Sequence, residues 1–297
     1  MNKTIFLLDK KSLLEVCGPY LETEKRPNPE WITAIREDYL RNIRQANQLT
    51  IRTNEIIKDE YGSTYQKGMD WWDKHFAPLP ESPLKPYIFD GEYYFGAKAC
   101  YERNLIYYVR EAINVSGASR ILEVGSGSGR NLISMALTFP DRDFEGLELT
   151  NEGVTLANNL IAEEILSDNY SIWAGCEPGK TPPRENIKFT QGSAALLPYE
   201  DNHFDMVFSI LALEQMRQIL PDVLAEIRRV CSGNVIFVEP FADFNGPKDQ
   251  EHIEFKGYFN LSGDELSAFG FIPLIFTSQI LRKLHMGVGV YFGQVQK

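Results

Sequence analysis

Arg120-Ile121-Leu122-Glu123-Val124-Gly125-Ser126-Gly127-Ser128-Gly129-Arg130-Asn131-Leu132 is the stretch whose reading decides the fold. Ile121, Leu122 and Val124 form a short apolar run of strand type. Gly125, Gly127 and Gly129 follow at every second position, and Leu132, Ile133, Met135, Ala136 and Leu137 then fit a buried helix. The pattern is strand, glycine turn, helix. Glycine reaches φ > 0 without steric cost and lets a ligand approach the backbone closely. Further strands are predicted at Asp143 to Leu149, Ile187 to Thr190, Phe204 to Ser209, Asn234 to Val238 and Tyr291 to Gln296, with helical stretches between them. Alternation of this kind predicts an α/β protein with a doubly wound, mostly parallel sheet. Ligands of such sheets lie at the carboxyl ends of the strands, where Glu123, Glu148, Ser193, Ser209 and Glu239 fall.

The dinucleotide fingerprint G-x-G-x-x-G would need a glycine where Arg130 stands. Glu123, two residues before the first glycine, instead suits a cationic ligand. Glu148, about 20 residues beyond the last glycine, is placed to accept ribose hydroxyls. That acid serves a methyl donor and a nicotinamide nucleotide equally well.

The run E-V-G-S-G-S-G resembles the nucleotide loop of class I S-adenosylmethionine-dependent methyltransferases. Gly192-Ser193-Ala194-Ala195-Leu196-Leu197-Pro198-Tyr199, continuing through Phe204-Asp205-Met206-Val207, is similar to a segment of their UbiE-like, small-molecule branch. Leu213-Glu214-Gln215 resembles the L-E-H segment that walls the donor site there, with Gln215 in the place of the common histidine. The resemblance spans residues 118 to 297 and implies a seven-stranded sheet with S-adenosyl-L-methionine as cofactor. It implies that Glu123 meets the methionyl amino group and that Gly125, Ser126, Gly127 and Gly129 form the turn. Glu148 and Leu149 would hold the ribose, Gly192, Ser193 and Ala194 the adenine, and Ser209 and Leu211 the end of the fourth strand. The family's acid after Gly192 is Ser193 here, which accepts a hydrogen bond without charge assistance.

Residues 1–115 match no family pattern. Asn28-Pro29-Glu30 reads as a helix start, followed by Ile32, Ile35, Tyr39, Ile43 and Ala46 at helical spacing, with Ile56 and Ile57 continuing the stripe in one helix or a second. Such a stripe must cover the main domain or a partner chain, the latter giving a homodimer through the N-terminal helices. Aromatic residues crowd Tyr65 to Phe76, and Pro78, Pro80, Pro83 and Pro86 make the next segment extended. The expected division is an N-terminal helical extension or lid at 1–90 and a cofactor domain at 91–297. Residues 167–186 read as a polar loop long enough to be functional or mobile. Thr150 is a helix cap, Ser262 with Glu265 a capping box, and Gly233 the end of the helix that begins at Pro221.

The chain has 297 residues and a net charge of −11, which argues against a nucleic-acid surface. Cys17, Cys100, Cys176 and Cys231 are far apart and read as free thiols of a reducing cytoplasm. The segment Met1 to Lys10 has too short an apolar core for a signal peptide, and no run reaches the length of a membrane span. The histidines show no metal-ligand spacing, so no metal is expected.

A sulfonium donor carries its own activation, so positioning supplies most of the acceleration. A base is needed only for a hydroxyl or a protonated amine; His252, His203, Glu239 and Glu214 are the candidates, with His252 and Glu239 assigned the catalytic role. Ser209-Ile210-Leu211-Ala212 stands where exocyclic-amine nucleic-acid enzymes carry [DN]-P-P-[YF]. No cysteine follows a proline, as a cytosine C5 enzyme requires, and only Glu214 stands where arginine methyltransferases place two glutamates. A small-molecule acceptor remains, a sugar, lipid precursor or natural product methylated at O or N. Two other readings stay open: a non-catalytic nucleoside-binding scaffold, and an NAD(P)-dependent oxidoreductase.

Overall fold

The computed structural model describes residues 7–46 and 51–297, so most of the signal-peptide reading at the N-terminus lies outside the described residues. The chain opens with α1 (Lys10–Cys17), a two-residue β1 (Leu21–Glu22), α2 (Pro29–Ala46), α3 (Asn54–Tyr65) and α4 (Met69–His75). A hairpin of β2 (Lys85–Phe89) and β3 (Glu92–Gly96) leads into α5 (Lys98–Ser116). The main domain follows as β4 (Arg120–Val124), α6 (Arg130–Thr138), β5 (Asp143–Glu148), α7 (Asn151–Ala162), α8 (Asp168–Ala174), β6 (Ile187–Gln191) and β7 (Phe204–Ile210). It ends with α9 (Leu220–Val230), β8 (Cys231–Glu239), α10 (Pro247–Lys256), α11 (Gly263–Ala268), β9 (Phe271–Thr277) and β10 (Gly289–Val295).

Seven strands form the main sheet in the order β6-β5-β4-β7-β8-β10-β9, with β10 antiparallel to both its neighbours and β4 through β8 parallel. The doubly wound, mostly parallel sheet is as expected. Strand β4 lies near the middle, with Ile121 opposite Phe144 on one side and Met206 on the other. Successive side chains of a strand point to opposite faces. Ile121 accordingly joins one apolar cluster and Leu122 and Val124 the other, one on each side of the sheet. That is why Ile121 and Leu122 are apolar in succession rather than alternating with polar residues.

The local signals hold. Asn28 Oδ1 accepts from the amides of Glu30 and Trp31 at 2.8 and 3.2 Å and starts α2. Thr150 caps α7, and Ser262 with Glu265 forms a complete capping box on α11. Of one helix or two, the structure shows two: Ile56 and Ile57 lie on the separate helix α3.

Three expectations change. About a third of the 167–186 segment is helix rather than loop: Ser167 caps α8, and Tyr170 and Trp173, three residues apart, bury against Phe76 with ring centroids 5.1 and 4.8 Å away. Its polar composition hides that aromatic pair. Gly233 does not end α9 but lies inside β8, where an added Cβ would sit 2.3 Å from the carbonyl oxygen of Asp205. The boundary at 90/91 falls in the β2–β3 turn, where Asp90 and Gly91 both have positive φ and Phe89 pairs with Glu92. One apolar cluster runs from Leu8 and Tyr20 through Tyr94 and Tyr101 to Ile121 and Phe292, so no gap in the packing coincides with that line.

Helix α2 packs against α10. Arg36 pairs with Asp249 at 2.7 Å, Arg44 with Glu251 at 2.8 Å, and Lys248 with Glu37. Tyr39 bonds His252 Nδ1 and stacks on His285 at 3.9 Å. Burial, then the neighbouring His285, holds His252 down at about 4, so the folded protein keeps it neutral. The unfolded chain takes up its proton near 6.5, and stability is therefore lost as pH falls from about 6.5 to about 4, by on the order of 2 kcal/mol. Unfolding titrations of wild type and His252→Asn across that window will show the shallower slope in the variant; equal slopes would remove this role from His252.

Candidate active site

The glycine turn is a closed hydrogen-bonded unit. The amides of Gly125 and Ser126 donate to the Leu147 carbonyl at 2.8 and 3.0 Å, and that of Gly129 to Ser126 O at 2.9 Å. All three glycines have positive φ, so each needs the missing side chain. A Cβ on Gly125 would lie 2.4 Å from that of Ala212, and one on Gly127 2.7 Å from the Tyr65 hydroxyl.

A cavity of about 380 Å³ opens at this turn. Gly125, Ser126, Gly127, Glu148, Leu149, Gly192, Ser193, Ala194 and Leu211 all line it, although they come from four separate stretches of sequence. Glu123 and Ser209 are fully buried behind that wall, as is Glu239, and Gly129 turns its vacant side toward Phe189 and Ala157. Leu211 enters the wall with a φ of 51°, a conformation non-glycine residues adopt at a cost of about 1–2 kcal/mol.

Glu148 accepts from Thr150 N and Oγ1 through Oε1, at 2.9 and 2.7 Å, and from Gly127 N through Oε2 at 3.0 Å. Oε2, with one donor against two on Oε1, is the oxygen with more room for a further donor. Glu123 receives the Asn131 amide at Oε1, 2.8 Å away, while its buried Oε2 has no hydrogen-bond partner among the described residues. Burial lifts this carboxyl to about 8, against the lowering effect of Asn131 and the Arg130 guanidinium. An unsatisfied buried oxygen beside a bare glycine turn fits a ligand bearing an ammonium group.

Neither residue assigned the catalytic role faces the cavity. Glu239 is consumed in scaffolding: Ser209 Oγ, Ala212 N and Leu213 N donate to its Oε1 and Glu214 N to its Oε2, at 2.8 to 3.2 Å. Ser209 has its hydroxyl in that same network. His252, on α10, is held by Tyr39 of α2 and is not among the residues lining the cavity. His203 stacks on Tyr199 and approaches Glu145 at 3.7 Å, on the β5 side of the sheet.

The wall opposite the glycine turn is polar and aromatic: Tyr61 and Tyr65 from α3, Lys98, Tyr101 and Glu102 from α5, then Glu214, Gln215, Tyr258 and Lys283. Only Glu214 and Gln215 carried a sequence signal. Tyr101 and Glu102 sit among eleven buried positions of α5 and read as core in sequence. Glu102 pairs with Lys98 one helical turn away at 3.5 Å and with Arg130 at 3.1 Å, the latter a tie between α5 and the residue after the glycine turn that no local spacing encodes.

Residues 122–238 match the family model described as a methyltransferase domain. Over those residues the chain carries a methyltransferase domain. Its fold is similar to that of magnesium protoporphyrin IX methyltransferase from Synechocystis PCC 6803, solved with S-adenosylmethionine and with S-adenosylhomocysteine. The former match has 12% identity and a TM-score of 0.51, covering 84% of this chain and 100% of that one. The latter has 10% identity and a TM-score of 0.52, covering 82% and 100%. A geranyl diphosphate methyltransferase structure is also similar, at 12% identity and a TM-score of 0.46, covering 64% of this chain and 76% of that one. With a methyltransferase domain at residues 122–238, the dinucleotide reading that Arg130 disfavoured falls away. Among the described residues no helix is long and apolar enough to cross a membrane.

Proposed function

We propose that the enzyme methylates a small molecule, at oxygen or nitrogen, inside the cavity roofed by α3. One observation carries this reading: the glycine turn and Glu148 share a single cavity with Tyr101, Glu102, Glu214 and Lys283. Bound there, S-adenosylmethionine supplies a methyl group already activated by its sulfonium. The residues around it need only hold it, orient an acceptor and exclude water. Glu123 and Ser126 receive the methionyl ammonium, directly or through water. Gly125, Gly127 and Gly129 let the backbone approach, Glu148 and Leu149 hold the ribose, and Gly192, Ser193 and Ala194 border the adenine. Ser193 Oγ already accepts from Ala195 N at 3.3 Å, so it offers the adenine edge a weak contact. The segment from Gly192 to Val207 supports the small-molecule branch of the family. Enclosure by α3 and α5 also favours an acceptor of modest size over a nucleic acid.

Calorimetry with S-adenosylhomocysteine tests the donor half of this reading. Glu148→Ala should weaken binding by about 1–3 kcal/mol, through loss of a buried hydrogen bond. An unchanged affinity would take the ribose away from Glu148. Profiling of a native extract with methyl-labelled donor tests the acceptor half: label in protein or nucleic acid rather than in a small molecule would overturn it.

A further inference from the structure

We propose that Glu214 receives the proton of the acceptor, and that the acceptor is therefore an alcohol or phenol. This deepens the reading above and rests on it. Glu214 stands two residues beyond Ala212, whose methyl group packs against Gly125, so its carboxylate lies next to the donor end of the cavity. It is 5% exposed. Oε1 accepts from the Gln215 side chain at 2.8 Å, and Oε2 has no hydrogen-bond partner among the described residues. The Tyr101 hydroxyl on the same wall is also buried without a partner. Two unsatisfied polar atoms on one cavity wall are costly in the empty protein, and a ligand hydroxyl is the simplest group that serves both. It donates to Glu214 Oε2 and accepts from Tyr101.

The position is built to be rigid. Glu239 holds the amides of residues 212, 213 and 214 from below. Tyr101 stacks on Tyr87 with parallel rings 5.7 Å apart, and Lys283 Nζ lies 4.8 Å from its centroid. Lys283 also discriminates. With Lys98 and Arg130 on the same cavity, it disfavours a cationic acceptor and leaves a neutral hydroxyl. In the step, the acceptor O–H bond breaks and its proton moves to Glu214. The oxygen bonds to the methyl carbon, and the electron pair of the broken C–S bond stays on sulfur as the thioether. Glu214 then returns its proton to water.

The groups facing Glu214 set when it can act. Burial raises it to about 8, the Glu239 charge from β8 adds to that, and Lys283 and Arg52 oppose it. Tyr61, Tyr101 and Tyr258 feel its charge from α3, α5 and the segment after α10. Methyl transfer should therefore rise with pH through about 8. Removing Lys283 moves that inflection upward.

The test uses the full chain, methyl-labelled S-adenosylmethionine and a native extract, read as labelled small-molecule product. Glu214→Gln should lower transfer by at least ~100-fold, the range of a lost general base, and Glu214→Asp should keep part of it. S-adenosylhomocysteine affinity should stay within about threefold, showing that the variant folds and binds donor. Lys283→Met should shift the pH inflection upward. Wild-type rate in Glu214→Gln, or a wild-type profile flat between about pH 6 and 9, overturns the proposal. A labelled product methylated at nitrogen overturns the hydroxyl assignment alone. Wild type that binds S-adenosylhomocysteine yet labels nothing overturns the small-molecule reading, and this proposal with it.

Discussion

Glu123→Gln should weaken S-adenosylhomocysteine binding by about 2–3 kcal/mol, or ~30–150-fold, while leaving the fold intact. The reason is the oxygen that has no partner. Burial holds the carboxyl protonated up to about 8, so at neutral pH the ligand-free protein carries a neutral acid there. An arriving ammonium favours the ionised form, and binding then releases a proton. Calorimetry at pH ~7 in buffers of different ionisation enthalpy should count about one proton released by wild type and none by the variant. Affinity should climb with pH until about 8, where the free protein has already lost the proton. The linkage also acts on stability. A carboxyl raised in the folded state stabilises the ligand-free protein at low pH, and that contribution disappears as pH rises through about 8. Equal affinity and equal proton release in the two proteins would show that Glu123 only braces Asn131.

Gly125→Ala is the second large effect. The residue has φ +76°, and the new methyl group would lie 2.4 Å from the Ala212 methyl. Left-handed backbone with a Cβ costs about 1–2 kcal/mol and overpacking about 1–3 kcal/mol. Ala212 cannot withdraw, because its amide is tied to Glu239. Thermal unfolding should come down by about 5–10 °C, and donor binding should be lost with the turn. Gly246→Ala is the matched control: its φ is −73°, and nothing lies within 4 Å of an added Cβ, so it should be neutral. Equal melting temperatures for the two variants would mean that the turn shifts to accommodate a side chain.

The positions of these two residues were readable in the sequence because their requirements are local. A glycine turn after a branched apolar run is encoded within a dozen residues, as are the Asn28, Thr150 and Ser262 caps. The glycine turn and its flanking acids therefore emerged from spacing: Glu123, the glycines and Glu148 are each fixed by the strand that carries them. Where the sequence misled, a long-range contact decided. Glu239 looks like a free acid at a strand end until β7 and β8 pair and hand it the Ser209 hydroxyl and three backbone amides. His252 looks available until Tyr39, 213 residues away in sequence, bonds to it.

The sequence alone determined the α/β class, the glycine turn and the acids at its strand ends, since period, glycine conformation and capping act between near neighbours. Tertiary structure alone decided the cavity wall that faces that turn. Tyr101, Glu102, Glu214 and Lys283 come from α5, the segment after β7 and the segment before β10, and they meet only when the sheet closes against the N-terminal helices. A buried charge takes its character from whatever packs around it, and no spacing along the chain records that neighbourhood.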